Sequence, residues 1–336
     1  MSSILLLGGM LTAVYAAVLG VEGDYSSADV SPGREIAGSG QGAIHALAWS
    51  PDGSTLAIAG ISPRVRLWDL ALGSVQSIET GVKSAFHATQ TICWSPDGRT
   101  LSLGDRDGSV SRWDLESCRQ IPLPTESRFK VVATAWSADG RYLARSDRSG
   151  GAEILDLATG STRRLPARSS GHFRALIFSP DGKFLLSGES SGRVGVWDLA
   201  TAELRFEMSS LTTGMIHLAY APDGRSFASC GVFGPIQVWN STNGEERIAI
   251  GPDVGCFTAI TYSPDSRWLA SARWDGSIRI WELATGREIR HFQNPESQVM
   301  TLAWSPDGRI LASGAFDGTV RRWDLTDLIT MALAAR

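Results

Sequence analysis

Ser190 stands in Gly188-Glu189-Ser190-Ser191-Gly192, a spacing that serves acyl transfer when the serine sits on a strained strand-to-helix elbow with a histidine and a carboxylate in reach. Here the residues on both sides read as strands, so the pentapeptide is expected to form a Ser-Gly hairpin turn instead. Asp105-Arg106-Asp107-Gly108 invites a calcium reading, but the glycine and the distant glutamate of a calcium-binding loop are misplaced, which leaves an ordinary turn. His45, His87, His172, His217 and His291 include no HExxH pair and no repeated spacing to carboxylates. Cys93, Cys118, Cys230 and Cys256 show no CxxC spacing, so neither a zinc site nor a disulfide framework is expected. Gly38-Ser39-Gly40-Gln41-Gly42 precedes a strand rather than opening a helix and so lacks the dipole of a phosphate cradle. The residues that could do chemistry therefore predict no catalytic constellation, no metal and no cofactor.

The elements that hold these residues repeat. Ser50-Pro51-Asp52-Gly53 recurs with its aspartate at Asp52, Asp97, Asp139, Asp181, Asp223, Asp265 and Asp307, one step of 45 residues followed by steps of 42. Sixteen residues after each aspartate comes a second landmark: Trp68-Asp69, Trp113-Asp114, Leu155-Asp156, Trp197-Asp198, Trp239-Asn240, Trp281-Glu282 and Trp323-Asp324. Proline presets the first half of a tight turn, and the glycine accepts positive φ, so each tetrapeptide joins two strands. Apolar stretches such as Thr301-Leu302-Ala303-Trp304 and Ile310-Leu311-Ala312-Ser313 flank it. Asp107-Gly108, Asp275-Gly276 and Asp317-Gly318 make the next turn, and Ser277-Ile278-Arg279-Ile280-Trp281 alternates as a third strand. Gly286-Arg287-Glu288-Ile289-Arg290 then supplies a short polar edge strand. Four strands account for the period.

With 336 residues, 43% apolar content and 12 tryptophans, the chain can bury a large core. Its formal net charge is -4, and no cluster of Lys and Arg is interleaved with aromatics, so the electrostatic footprint of a nucleic-acid binder is absent.

These two motifs in seven copies resemble the WD-repeat family of β-propellers, and the resemblance covers about residues 33 to 325. It implies an all-β fold of seven four-stranded blades, with Trp68, Trp113, Trp197, Trp239, Trp281 and Trp323 as structural repeat tryptophans. Members of the family commonly tie His, Ser or Thr, Asp and Trp into a hydrogen-bonded tetrad. Ser271, Asp275, Trp281 and Ser313, Asp317, Trp323 fit three of its places, but the histidine place holds Asp253 and Pro295, so packing must supply more of the stability. Leu155 in place of tryptophan makes the third repeat the poorest packer.

Family members often let an N-terminal strand complete the last blade, and Arg34-Glu35-Ile36 after Gly33 matches Arg287-Glu288-Ile289 after Gly286. The alternative is an eighth, degenerate blade, because Glu22-Gly23 and Ala28-Asp29 also echo the repeat and Ile329 to Ala334 could form an edge strand. The expected organisation is thus 1–32 as an apolar segment or degenerate repeat, 33–325 as the propeller and 326–336 as a tail. Met1 to Val21 carries no charge and could be a signal or anchor, but no Lys or Arg precedes the apolar run. The expectation is a cytoplasmic protein, with export or membrane anchoring as the alternative that hangs on this segment.

In this family partners often contact the face that carries the turns between second and third strands. Carried onto this chain, those slots hold Ile61, Arg106, Arg148, Trp274 and Phe316 on turns and Lys130, His172, Arg174 and Met300 on first strands. Arg106, Lys130, Arg148 and Arg174 make a basic arc; Trp274, Phe316, Met300 and Ile61 make an apolar one. The resemblance therefore implies a non-enzymatic scaffold or adaptor binding a protein or peptide across this face. Alternatives are an exported or membrane-tethered propeller in an envelope assembly and, last, a propeller enzyme.

Overall fold

The computed structural model describes residues 33–37, 42–62, 64–79, 89–105, 110–122, 131–147, 151–166, 173–210, 217–252, 256–294 and 297–328. The apolar segment 1–32 and the residues 329–336 at the other end lie outside them, as do Gly38 to Gln41 and the turn at Asp107-Gly108.

The described residues form seven antiparallel four-stranded sheets. The first six run in chain order, with strands inside 44–79, 89–121, 131–165, 173–209, 217–250 and 257–293. The seventh takes three strands from Val299–Trp304, Ile310–Ala315 and Val320–Asp324 and its outermost from Arg34–Ala37, which pairs Arg34 with Arg322 and Glu35 with Arg321. Each first strand lies against the first strand of the next blade, and Ile44–Trp49 lies against Val299–Trp304, so the ring closes. The fold is a seven-bladed β-propeller, which decides the blade count in favour of closure by the N-terminal strand. Gly33 precedes that strand because a Cβ there would come within 2.8 Å of the Trp323 ring.

Why the turns form is visible atom by atom. In six blades the serine hydroxyl of the repeat donates to the aspartate Oδ1, from 2.5 Å at Ser50–Asp52, Ser95–Asp97 and Ser137–Asp139 to 2.6 Å at Ser179–Asp181, Ser263–Asp265 and Ser305–Asp307. Asp Oδ1 also accepts the amide two residues on, as from Ser54 and Arg99. Gly53 donates back to the Ser50 carbonyl at 2.9 Å and sits at φ 73, where an L side chain is strained. Blade five has Ala221 in the serine place, and the amide of Asp223 is bonded instead by Ser266 Oγ of blade six.

The second landmark works at the same end of the blade. Asp69, Asp114 and Asp198 accept the amides of Leu72, Ser117 and Ala200 at 2.7 to 2.8 Å, fastening the turn into the fourth strand. The neighbouring tryptophan points the other way, into the blade. Trp197, Trp239, Trp281 and Trp323 donate their indole N–H to Ser187, Ser229, Ser271 and Ser313 at 2.8 to 2.9 Å. Two of the four serines, Ser187 and Ser229, are ones that a search for the complete tetrad passes over. In blades one to three the equivalent positions, ten residues before the landmark, hold Ile58, Leu103 and Arg145; blade two's Trp113 donates instead to Ser111 Oγ of its own strand at 3.1 Å. Asp275 and Asp317 bond Ser277 and Thr319 within their own turns.

The core is divided into seven apolar clusters among the described residues, and each straddles two blades. Trp68 and Ile58 of blade one pack with Ala312 and Val320 of blade seven, for instance, and Phe227 and Trp239 of blade five with Val194 and Val196 of blade four. The smallest is at blades two and three, where only Trp136, Leu143 and Leu155 are fully buried. There Arg145, in the serine place, is paired with Glu153 at 2.5 Å, and the Trp136 indole N–H lacks a partner.

Two outcomes follow from these contacts. Amide hydrogen exchange should find blade three least protected, with Tyr142–Asp147 and Ala152–Asp156 exchanging faster than the matching strands of blades four to seven; equal protection would refute this. The second concerns acid. The Ser50 hydroxyl and the Ser54 amide hold the Asp52 carboxyl below the ordinary 3.8, and the Ser95 hydroxyl and the Arg99 amide do so for Asp97. At Asp139 and Asp181 burial pushes upward, but the Ser137 and Ser179 hydroxyls and the Arg141 and Lys183 amides outweigh it. A folded-state value below the unfolded one stabilises the fold above pH 3.8, and that stabilisation is lost as pH falls through the folded values. Melting temperature should therefore hold from neutral pH to about 4 and drop below it, with a shallower drop in Asp52→Asn.

Candidate interaction face

By topology, every turn between second and third strands emerges at the end of the ring opposite the Ser-Asp turns. Three large aromatic side chains are exposed there on consecutive blades: Phe233 on blade five at 45%, Trp274 on blade six at 36% and Phe316 on blade seven at 58%. Phe233 is a residue the slot-by-slot reading missed. Counted at the same spacing, the slot of blade five falls on Val232, but in blade five both strands stop a residue early, ending at Cys230 and resuming at Ile236. Pro235 has no N–H to offer the ladder, and the widened loop carries Phe233 outward.

The backbone under these rings is bonded into one rim. Cys256 at the start of blade six donates to the Val232 carbonyl at 2.9 Å and accepts from the Trp274 amide at 3.2 Å. Gln293 Nε2 donates to the Asp275 carbonyl at 2.7 Å, and the Asn294 amide to Gly276 at 3.0 Å. Ser297 Oγ accepts the Asp317 amide at 3.1 Å, and Phe316 donates to the Gln298 carbonyl at 2.9 Å. Gly276, at φ 82, lies so close to this connection that a Cβ would stand 2.5 Å from the Asn294 carbonyl oxygen.

The remaining slots differ among themselves. Met300 is half-buried on the first strand of blade seven. Ile61 is also half-buried, its amide bonded to the Ala43 carbonyl at 3.1 Å and its side chain folded over Gly42. Arg174 is exposed on the first strand of blade four. Arg106, Lys130, Arg148 and His172 lie outside the described residues, so the structure places one member of the basic arc and none of its geometry.

The residues with chemical potential are set apart from one another. Ser190 is on a three-residue turn between the strands Phe184–Glu189 and Arg193–Asp198, closed by the Gly192 amide on the Glu189 carbonyl at 3.0 Å. Asp105 is buried and accepts the Thr89 hydroxyl at 2.8 Å. Burial pushes the Cys93 thiol up to about 11 and the His217 imidazole down to about 4. Among the described residues no three His, Cys, Asp or Glu side chains gather as a metal would require. No helix among them is long and apolar enough to cross a membrane.

Compared with known families, residues 159–198, 249–282 and 286–324 match the model described as WD domain, G-beta repeat. These spans hold the first three strands of blades four, six and seven, each preceded by all or part of the fourth strand of the blade before, and the other blades repeat their architecture. The chain is a β-propeller that carries WD repeats. Residues 27–148 of this WD-repeat protein also match a family model described as Eukaryotic translation initiation factor eIF2A. No curated protein matches. Propellers of the WD-repeat kind generally bind protein partners, through loops that a rigid ring holds in fixed relation.

Gly276→Ala tests the rigidity of the rim. The added methyl meets backbone rather than a movable side chain and forces a strained φ, so unfolding free energy should fall by more than about 1 kcal/mol, with amide shifts spreading from Trp274 to Phe316. A melting curve identical to wild type would show the rim to be loose.

Proposed function

We propose that this WD-repeat protein is a non-enzymatic scaffold that holds a protein or peptide partner on the face of blades five to seven, with Phe233, Trp274 and Phe316 as anchors. The observation that carries the reading is the exposure of three aromatic rings on neighbouring turns of one bonded rim. Aromatic side chains and arginine dominate the residues on which binding energy concentrates, and an exposed aromatic row is costly to leave in water. The rim supports tight binding because little ordering remains to be done when the partner arrives. Met300 extends the apolar strip, and exposed Arg174 with Arg106, Lys130 and Arg148 would receive acidic groups of the same partner.

The match of residues 27–148 favours a second, narrower reading, in which that partner belongs to the translation-initiation machinery. With a net charge of -4, this reading favours contact with a protein of that machinery rather than with RNA.

Affinity capture with two baits tests the face, using the wild-type chain and a folded Trp274→Ala, Phe316→Ala double variant read by mass spectrometry. Partners should be retained by the wild type and lost from the double variant; retention by both would place binding elsewhere. Co-sedimentation of the wild-type chain with ribosomal subunits separates the narrower reading, which fails if the protein stays at the top of the gradient.

A further inference from the structure

A different surface lies at the opposite end of the ring. Between blades one and two a groove of about 530 Å³ opens over Leu67, Trp94 and Leu115. Asp52, Asp69 and Asp97 stand around it, and its lining includes no Lys or Arg; Arg99, outside the lining, neighbours Asp97. Leu72 projects at its edge with 79% of its surface exposed, more than any other large apolar residue among those described.

The sibling grooves show what this shape accommodates. Eight residues after the landmark, blades three, four and five carry Arg163, Arg205 and Arg247 on their fourth strands. Arg163 crosses to blade four and donates from Nη1 to the carbonyls of Leu199 and Ala200 at 2.5 and 2.8 Å. Arg205 lines the groove between blades four and five with its guanidinium 5.0 Å from the centre of the Phe184 ring, and Arg247 lines the next groove. In blade one the same position is Gln76, where blades two and six have Ile121 and Ile289, and its Nε2 reaches Cys118 Sγ across the groove at 3.9 Å, too long for a strong bond. Leu115, the counterpart of Leu199, lines this groove, and among the described residues of its lining there is no arginine.

We infer that the groove between blades one and two binds an arginine side chain of another protein, carried in an apolar segment whose aliphatic neighbour covers Leu72. The guanidinium would take the place that Arg163 occupies in its own groove, against the Leu115 carbonyl and within the field of Asp69 and Asp97. Those carboxylates accept their turn hydrogen bonds at Oδ1, from Leu72 and Arg99 amides at 2.8 and 3.0 Å, so they are held in place before any partner arrives. Planar guanidinium suits paired carbonyl and carboxylate acceptors better than ammonium does, which sets arginine above lysine. This surface is independent of the aromatic rim and would let one ring hold two partners, or two parts of one.

The test uses the full chain with isotope-labelled leucine methyl groups and the probe acetyl-Leu-Arg-Leu-amide, compared with its citrulline counterpart, which keeps the shape but loses the charge. The arginine probe should shift the Leu72 and Leu115 methyls, and citrulline should bind about tenfold more weakly. Gln76→Arg should fill the groove from within, raising the melting temperature and abolishing the shifts. Leu72→Ser should weaken the probe without touching the turns, and Trp274→Ala should leave it unchanged. Equal binding of citrulline, a lowered melting temperature in Gln76→Arg, or shifts confined to other methyls would overturn the inference. So would a dimer that Gln76→Arg dissolves, since the occupant would then be a second copy of this chain.

Discussion

Each sheet in this ring has two apolar faces and one chain to cover them with, so no blade is a finished object. Trp68 is buried only because Ala312 and Val320 of the last blade lie over it, and Phe227 only because blade four stands beside it. Burying one such side chain is worth about 2 to 3 kcal/mol, and the gain exists only while the ring is closed. Closure in turn rests on the pairing of Arg34–Ala37 with Val320–Asp324. The hydrogen-bonded details, from the Ser–Asp turns to the Trp–Ser contacts, tune a structure whose existence depends on that pairing.

The two ends of the ring have been given different tasks. At one end serine, aspartate and backbone amides repeat the same bonds blade after blade, which fixes strand register and makes that end nearly uniform. At the other end the turns differ in sequence and in what they expose, from a Ser-Gly turn on blade four to exposed aromatics on blades five to seven. Uniformity at one end stabilises the ring and leaves the other end free to vary. The groove of blades one and two departs from its neighbours at the uniform end through Gln76, where blades three to five have arginine.

Most of the architecture was legible in the sequence because the turn and the Trp-Asp landmark encode local geometry that needs no partner to be recognised. The closing strand was legible for the same reason, since Gly33-Arg34-Glu35-Ile36 repeats Gly286-Arg287-Glu288-Ile289 at the start of blade six's fourth strand. The Trp–Ser bonds of blades four and five were not, although Ser187 and Ser229 stand at the right spacing, because a reading built on a four-residue tetrad discards a blade that keeps two members. Phe233 was hidden by register: counting slots assumes equal turns, and Pro235 shortens the flanking strands. The groove could not be seen at all, since it is a space between residues of two blades and only the comparison with Arg163 and Arg205 shows what is missing from it.

The closing strand also sets an order of events. Gly33 and Arg321 make contact across 288 residues of chain, so the closing strand must wait for the blade seven strands made long after it. Contacts this distant in sequence are slow to form, because loop closure has to be achieved before packing rewards it. Until then blade seven presents an unpaired edge and blade one an uncovered apolar face, which are the features that recruit chaperones or stray strands. The ring is thus most vulnerable at its birth, at the single seam where its two ends meet.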